Sequence, residues 1–138
     1  MSARRYDQAP ARVYWELTRA CDLACRHCRA EAMRQRAPDE LTIDESFRVL
    51  ESLASASPVP HVVFTGGDPI KRPDLTALVA QATVLGIPAS VAPSATAGLT
   101  REVIDALKRS GVQAMSLSLD GPTPAHHDGV RGDRKSVV

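Results

Sequence analysis

Short apolar runs with strand character alternate with segments of helical periodicity along most of the chain. The predicted strands lie at residues 13–17, 61–65, 89–92 and 115–119. Strands that alternate with helices at this spacing indicate βαβ units, in which the strands run parallel and the helices pack on the sheet. The predicted fold class is therefore α/β, with about four parallel strands and three helices.

Local signals mark where the predicted helices begin and end. Thr42, with Glu45 three residues later, has the capping-box pattern at the start of the first helix. Thr100 is placed to cap the third helix. Gly86 and Gly111 follow the second and third helices, where glycine can end a helix in the left-handed conformation. These signals place one helix between each pair of successive strands.

Polar or ligand-type residues follow each predicted strand. In parallel sheets, ligands bind at the carboxyl ends of the strands. Thr96 and Asp120 fall at such strand ends. We also expect one rim of the sheet to carry the following residues: Cys21, Cys25, Cys28, Gly66, Gly67, Asp68, Ser94 and Ser118.

The chain has three cysteines, and all of them lie within residues 21–28 in the spacing C-x₃-C-x₂-C. Three thiolates can ligate three irons of a cubane [4Fe–4S] cluster, for which a full set of protein ligands would be four. The fourth iron would then be free to bind a small molecule. This spacing is the strongest functional signal in the sequence.

Other interpretations of the cysteines stay open. Residues 1–10 lack the apolar segment of a secretory signal, so a reducing, cytoplasmic compartment is expected and a disulfide is disfavoured. A zinc site would need a fourth ligand, for which His27 is the nearest candidate. Cys25 and Cys28 alone could form a dithiol redox pair, although Cys21 would then have no role.

The composition fits one domain and argues against two classes of partner. The chain has 138 residues, of which 43% are hydrophobic. Its formal net charge of +1 gives no electrostatic footprint for nucleic acid or an anionic membrane. No apolar run approaches the ~18 residues of a membrane span. His126 and His127 lie in a polar segment, where we expect both to be solvated.

Three motifs together resemble those of the radical S-adenosyl-L-methionine (radical SAM) superfamily. They lie at residues 16–32, which contain the cysteines, at residues 65–75, which contain Thr-Gly-Gly-Asp-Pro, and at residues 118–122, Ser-Leu-Asp-Gly-Pro. The sequence is most similar to the branch that often carries a C-terminal SPASM domain, which includes haem-biosynthesis and peptide-maturation enzymes. The resemblance implies a partial (β/α) barrel of the radical SAM type.

The resemblance also implies a reaction and its cofactors. Cys21, Cys25 and Cys28 would ligate a [4Fe–4S] cluster, and SAM would bind its fourth iron. An electron from a donor such as a flavodoxin or ferredoxin would yield a 5′-deoxyadenosyl radical, which abstracts hydrogen from a small-molecule or peptide substrate. The alternative functions are a non-enzymatic iron–sulfur or zinc-binding module and a dithiol oxidoreductase.

Further roles follow residue by residue from the same resemblance. Gly66 and Gly67 would bring backbone close to the amino group of SAM, and Asp68 stands where the family usually has Glu. His27 occupies a position packed near the adenine, and Ser118 would face the ribose or methionine part of SAM.

The substrate side of the site is implied less directly. Ser94 and Thr96 lie where related enzymes have a Thr-Asn-Gly turn facing substrate, a turn that this sequence does not preserve. No residue is assigned as catalytic.

The end of the chain suggests a boundary. The family barrel normally has six strands, whereas four are predicted here. Residues 133–138, Asp-Arg-Lys-Ser-Val-Val, match nothing in the family pattern but match what a common sequencing adapter encodes. We therefore expect residues 1–132 to be the N-terminal part of a radical SAM core domain and residues 133–138 to be a non-native tail.

Overall fold

One parallel sheet organises the chain, and a computed structural model describes residues 7–132 of it. The strands lie in the order β1-β2-β3-β4, and every neighbouring pair is parallel. Their bounds are β1 Arg12–Glu16, β2 His61–Thr65, β3 Ala89–Val91 and β4 Ala114–Met115. The helices are α1 Ile43–Ala54, α2 Leu75–Val84, α3 Arg101–Arg109 and α4 Pro124–Arg131. The predicted α/β class with four parallel strands is confirmed.

The hydrophobic core lies between the sheet and the first three helices. Val62, Phe64 and Val91 face it from the strands and are fully buried. Leu50 of α1 and Leu107 of α3 reach it from the helices and have no exposed surface. Because burying such a side chain contributes roughly 1.5–3 kcal/mol, this layer stabilises the packing of the helices on the sheet.

The capping signals in the sequence operate as predicted. Thr42 accepts a hydrogen bond from the Glu45 amide, and the Glu45 carboxylate accepts one from the Thr42 amide, so the capping box is complete. Thr100 caps α3 through the Val103 amide. Gly86 and Gly111 adopt φ angles of 72° and 94°, as expected for glycines that follow helices.

The fourth strand is shorter than predicted. It was expected to cover residues 115–119, but it ends at Met115, and the last amide that pairs with β3 is that of Ser116, which donates to Val91 O. Among the described residues, no strand pairs with the other edge of β4. With a partner on one side only, Leu117 and Leu119 are left exposed.

A fourth helix follows that strand and was not expected. Thr123 caps it by accepting a hydrogen bond from the His126 amide, and Pro124 occupies its first turn. His126 is exposed as expected. The expectation that His127 is solvated is wrong, because its ring is buried and its Nδ1 accepts a hydrogen bond from the Asp120 amide at 3.2 Å.

Two expectations concern the margins of the chain. The suggested non-native tail, residues 133–138, lies outside the described residues. Of the helices that the structure describes, none has the length and apolar character needed to cross a membrane.

Candidate functional site

The carboxyl ends of the strands surround a cavity of about 330 Å³. Most of the residues singled out in the sequence line it: Cys21, Cys25, His27, Cys28, Gly66, Gly67, Ser94 and Ser118. The structure therefore brings the predicted strand-end residues together on one rim. Asp68 and Thr96 do not line this cavity.

Each cysteine sulfur in the cavity has a hydrogen-bond donor beside it. Two donors are backbone amides of the same loop, and the third is a guanidinium from α4. The contacts are Leu23 N to Cys21 Sγ at 3.4 Å, Ala32 N to Cys28 Sγ at 3.4 Å and Arg131 Nη1 to Cys25 Sγ at 4.0 Å. Donors aimed at sulfur stabilise thiolates and are a principal control on the reduction potential of iron–sulfur clusters.

Cys21 differs from the other two cysteines in its burial. Its side chain is buried, whereas Cys25 and Cys28 are partly exposed. Burial raises the pKa of the Cys21 thiol, while its hydrogen bonds with the Leu23 amide and the Ser94 side chain act in the opposite direction. Ionisation of the free Cys21 thiol is therefore unfavourable until a cation binds its sulfur.

The three cysteines supply the number of thiolates that a cubane with one open iron requires. In a cubane, each thiolate binds a different iron, whereas a zinc site needs all its ligands around one atom. Within residues 7–132, no three His, Cys, Asp or Glu side chains form a group that could hold one metal ion. Three sulfurs around one cavity, each with a hydrogen-bond donor beside it, are a ligand set that suits a [4Fe–4S] cluster.

Gly66 and Gly67 pack against the start of the cysteine loop. A Cβ on Gly66 would lie 2.4 Å from Thr18 O, and one on Gly67 would lie 2.6 Å from both Ala20 O and Arg19 O. The Gly67 amide donates to Thr18 O at 2.7 Å. The missing side chains thus allow the end of β2 to bind the backbone that leads into the cysteines, while both glycines also face the cavity.

Asp68 is turned away from the cavity and into the protein. It is 1% exposed, and its carboxylate accepts hydrogen bonds from Ile70 N, Ser94 N and Thr96 Oγ1. Burial raises the pKa of this carboxyl, which these hydrogen bonds partly offset. Asp68 therefore links the end of β2 to the segment after β3, and the hydroxyl of Thr96 is one of the donors that form this link.

Ser94 and His27 occupy different parts of the cavity wall. The Ser94 hydroxyl donates to Gly67 O at 3.1 Å and lies 3.7 Å from Cys21 Sγ, so it touches the site of the first cysteine. The His27 side chain is 56% exposed, and its Nε2 is 4.0 Å from Asp120 Oδ1. His27 is thus available to a ligand in the cavity.

A buried guanidinium beneath the cysteine loop was missed by the sequence interpretation. The Arg72 side chain is 1% exposed and forms a bidentate pair with Asp74, with N–O distances of 2.8 and 2.7 Å. Its Nη1 also donates to Leu17 O, directly after β1, at 3.1 Å. The segment 71–75 was noted as a motif, but sequence alone gave Arg72 no role.

Glu40 extends this network to the loop before α1. Its carboxylate accepts hydrogen bonds from Thr18 Oγ1 at 2.5 Å and Arg36 Nε at 2.6 Å, and it lies 3.9 Å from Arg72. The Thr18 hydroxyl in turn accepts from Ala20 N at 3.0 Å. The backbone just before Cys21 is therefore held by charge-assisted hydrogen bonds that range from buried to exposed.

The carboxyl end of α4 also binds the cysteine loop. Ala24 N donates to Arg131 O at 3.2 Å, and Arg26 N donates to Val130 O at 3.1 Å. Gly132 has a φ of 68°, and a Cβ there would lie 2.3 Å from Ala24 O. The unexpected helix thus holds the segment that carries the middle cysteine.

Known proteins resemble this chain along nearly all of its length. It is 42% identical over 120 residues to the AdoMet-dependent heme synthase of Nitratidesulfovibrio vulgaris, which covers 87% of this chain and 32% of that protein. It is 37% identical over 123 residues to the PqqA peptide cyclase of Rhodopseudomonas palustris, covering 89% and 32%. The chain spans about a third of the length of these curated relatives.

The fold is shared with a solved structure, and a family model matches the sequence. Streptococcus suis SuiB bound to S-adenosylmethionine superposes with a TM-score of 0.73 at 22% identity, covering 92% of this chain and 30% of SuiB. The family model described as "Radical SAM superfamily" matches residues 15–138. The chain therefore belongs to the Radical SAM superfamily, a family of enzymes.

Proposed function

We propose that Cys21, Cys25 and Cys28 hold a [4Fe–4S] cluster and that the adjoining cavity binds SAM for radical chemistry on a substrate. The main observation behind this proposal is that three cysteine sulfurs lie around one cavity and that each has a hydrogen-bond donor beside it. When bound, such a cluster supplies one electron to SAM, which gives methionine and a 5′-deoxyadenosyl radical that abstracts hydrogen.

The residues of the chain contribute binding and order rather than proton transfer. The thiolates of the three cysteines hold the iron, and the donors beside them moderate their charge. Gly66 and Gly67 offer exposed backbone next to the first cysteine, where the amino group of SAM would bind. Ser118, three residues after β4, and His27, in the cysteine loop, line the same cavity and would contact the rest of SAM.

Asp68 and Thr96 support the site from behind. Because the Asp68 carboxylate is occupied by Ser94 and Thr96, we assign it to fixing the wall of the cavity rather than to contact with SAM. Ser94 keeps a place on the substrate side of the wall. This arrangement lets the end of β3 set the position of Ser94 relative to Cys21.

The substrate is proposed to be a small molecule or a peptide, and the electron donor to be a flavodoxin or ferredoxin. One relative is named as a heme synthase and another as a peptide cyclase, and SuiB has been solved bound to the precursor peptide SuiA. These names support both substrate classes.

An anaerobic SAM cleavage assay tests the proposed function. After reconstitution with iron and sulfide, the wild-type chain should release methionine and 5′-deoxyadenosine when given dithionite. Cys25→Ser should abolish release, and Ser118→Ala should weaken SAM binding without loss of iron. Ser52→Ala, on the exposed face of α1, is the matched control. Equal release by Cys25→Ser and wild type would contradict the proposal, as would a thiol–disulfide exchange activity without SAM cleavage.

A further inference from the structure

Arg131, the last residue of α4, places a largely buried positive charge beside the middle cysteine. Its side chain is 12% exposed and lines the same cavity as the cysteines. Nε of its guanidinium pairs with Asp120 Oδ2, and Nη1 points to Cys25 Sγ at 4.0 Å. The guanidinium therefore bridges a carboxylate and a cysteine sulfur.

Two further contacts hold the backbone of Asp120 and of Arg131, the residues that form this ion pair. The Asp120 backbone amide donates to the buried His127 ring, which anchors the carboxylate to α4. The carbonyl oxygen of Arg131 itself accepts a hydrogen bond from Ala24 N, one residue before Cys25. With its backbone held by Ala24 and its Nε paired with Asp120, the Arg131 guanidinium is kept beside the sulfur.

Another cation at the cavity is placed differently. Arg29 lines the wall, but its side chain is 79% exposed and pairs with Glu16 at 2.8 Å. Charges in water are screened over about 8–10 Å, whereas partly buried charges are screened much less. Among the described residues, Arg131 is the cation with a hydrogen-bond contact to a cysteine sulfur.

We infer that Arg131, held by Asp120, is a positioning residue that fixes Cys25 and raises the reduction potential of the cluster. This inference rests on the proposed function. A reduced cluster carries one more negative charge than an oxidised one, so a nearby cation stabilises the reduced form. Asp120 pairs at Nε and leaves Nη1 directed at the sulfur, so the positive end of the ion pair faces the cluster.

The test is a redox titration of the full reconstituted chain, in which electron paramagnetic resonance monitors the reduced cluster. Arg131→Gln should make reduction at least tenfold less favourable, which is a shift of about 59 mV to more negative potential for a one-electron couple. Arg131→Lys keeps the charge and should lie closer to wild type than Arg131→Gln. Arg109→Gln removes an exposed cation from the far end of α3 and should leave the potential unchanged.

The outcomes separate this inference from the proposed function. If Arg131→Gln does not retain a cluster, Arg131→Met, which keeps the aliphatic stem, takes its place in the comparison. A neutral variant with the wild-type potential, or an Arg131→Lys variant shifted as far as the neutral one, overturns the inference alone. A wild-type chain that assembles no cubane overturns the proposed function and the inference with it.

Discussion

The absence of a side chain at Gly67 has a structural role, because it lets the backbone of the cysteine loop pack closely against this residue. The family resemblance explained the glycine pair by close approach of the SAM amino group. In the structure, the space that a Cβ would fill at Gly67 is occupied by Ala20 O and Arg19 O of the cysteine loop. Any side chain at this position must first displace the backbone that leads into Cys21.

Replacing Gly67 with Ala should therefore loosen the cysteine loop. Backbone atoms at 2.6 Å cannot rotate away as a flexible side chain would, so we expect a loss of about 1–3 kcal/mol in the free energy of unfolding. Urea unfolding of the apo chain measures this. Gly129→Ala is the control, because nothing lies within 4 Å of its Cβ position inside α4, and it should stabilise by about 0.5–1 kcal/mol. Equal effects of the two substitutions would contradict the account.

The alternation of strands and helices predicted which residues meet at the cavity, but it could not predict the direction of each side chain. Asp68 follows β2 and precedes Pro69, a pattern that equally suits a ligand contact and a turn cap. The structure uses it as a cap, with Ile70 N donating to its carboxylate. Side-chain direction after a strand end depends on contacts from other elements, here the end of β3, which the local sequence does not contain.

At the scale of elements, the ion-pair network of Arg72 joins β1, the loop before α1 and the start of α2. Its guanidinium contacts Leu17 O, Asp74 and, at 3.9 Å, Glu40. Removing one partner of a buried pair leaves an uncompensated charge and costs about 3–5 kcal/mol. This network therefore ties the strand end before the cysteines to the loop before α1 and to the start of α2.

The pH dependence of stability should reveal this network. The hydrogen bond from Arg72 holds the pKa of Asp74 below its ordinary value. Burial opposes ionisation of Glu40, but hydrogen bonds from Thr18 and Arg36 outweigh it and lower its pKa as well. A group with a depressed folded-state pKa contributes stability above its unfolded pKa and loses it as pH falls through the folded value.

We therefore expect the free energy of unfolding to fall steeply below about pH 4, the ordinary range of these carboxyls. Asp74→Asn should be less stable than wild type at pH 7 and should show a shallower acid fall. Urea unfolding at several pH values measures both. Asp105→Asn, whose partner Arg101 is 88% exposed, should keep the wild-type slope. A wild-type slope in Asp74→Asn would refute the role given to the network.

The elements from β1 to α3 were predicted well, and those that follow α3 were not. The bounds of β2, between β1 and β3, agree with its apolar run. β4 was predicted through residue 119 because Met115–Leu119 has strand character, but a ladder needs a partner, and β3 is itself short. α4 was missed because Thr123 and Pro124 were not recognised as a helix start.

At the scale of the whole molecule, the sheet is covered unequally. Helices α1, α2 and α3 bury one face, while the other face presents a cavity lined in part by Arg12, Tyr14, His61 and Ser90. The segment after β4 adds Leu117 and Leu119, which are 49% and 70% exposed. An apolar run beside an unpaired strand edge favours self-association.

A charge at this edge should reduce self-association. Leu119→Lys places an ammonium group beside the open edge of β4, so we expect less concentration-dependent growth in mass by light scattering. Val84→Lys is the matched control, since Val84 is 80% exposed at the end of α2, away from the strand edges. If association is unchanged by Leu119→Lys, or is reduced equally by both variants, the edge of β4 is not the surface that drives self-association.

The central claim, that three cysteines hold one cubane, is tested most directly by cluster assembly in the full chain. After anaerobic reconstitution, iron and sulfide should each approach about four per chain, and the dithionite-reduced protein should give the electron paramagnetic resonance signal of a [4Fe–4S]⁺ cluster. Replacing Cys21, Cys25 or Cys28 singly with Ala should abolish stable binding. Stoichiometric zinc on all three thiols, with no cubane signal under reducing conditions, would contradict the account.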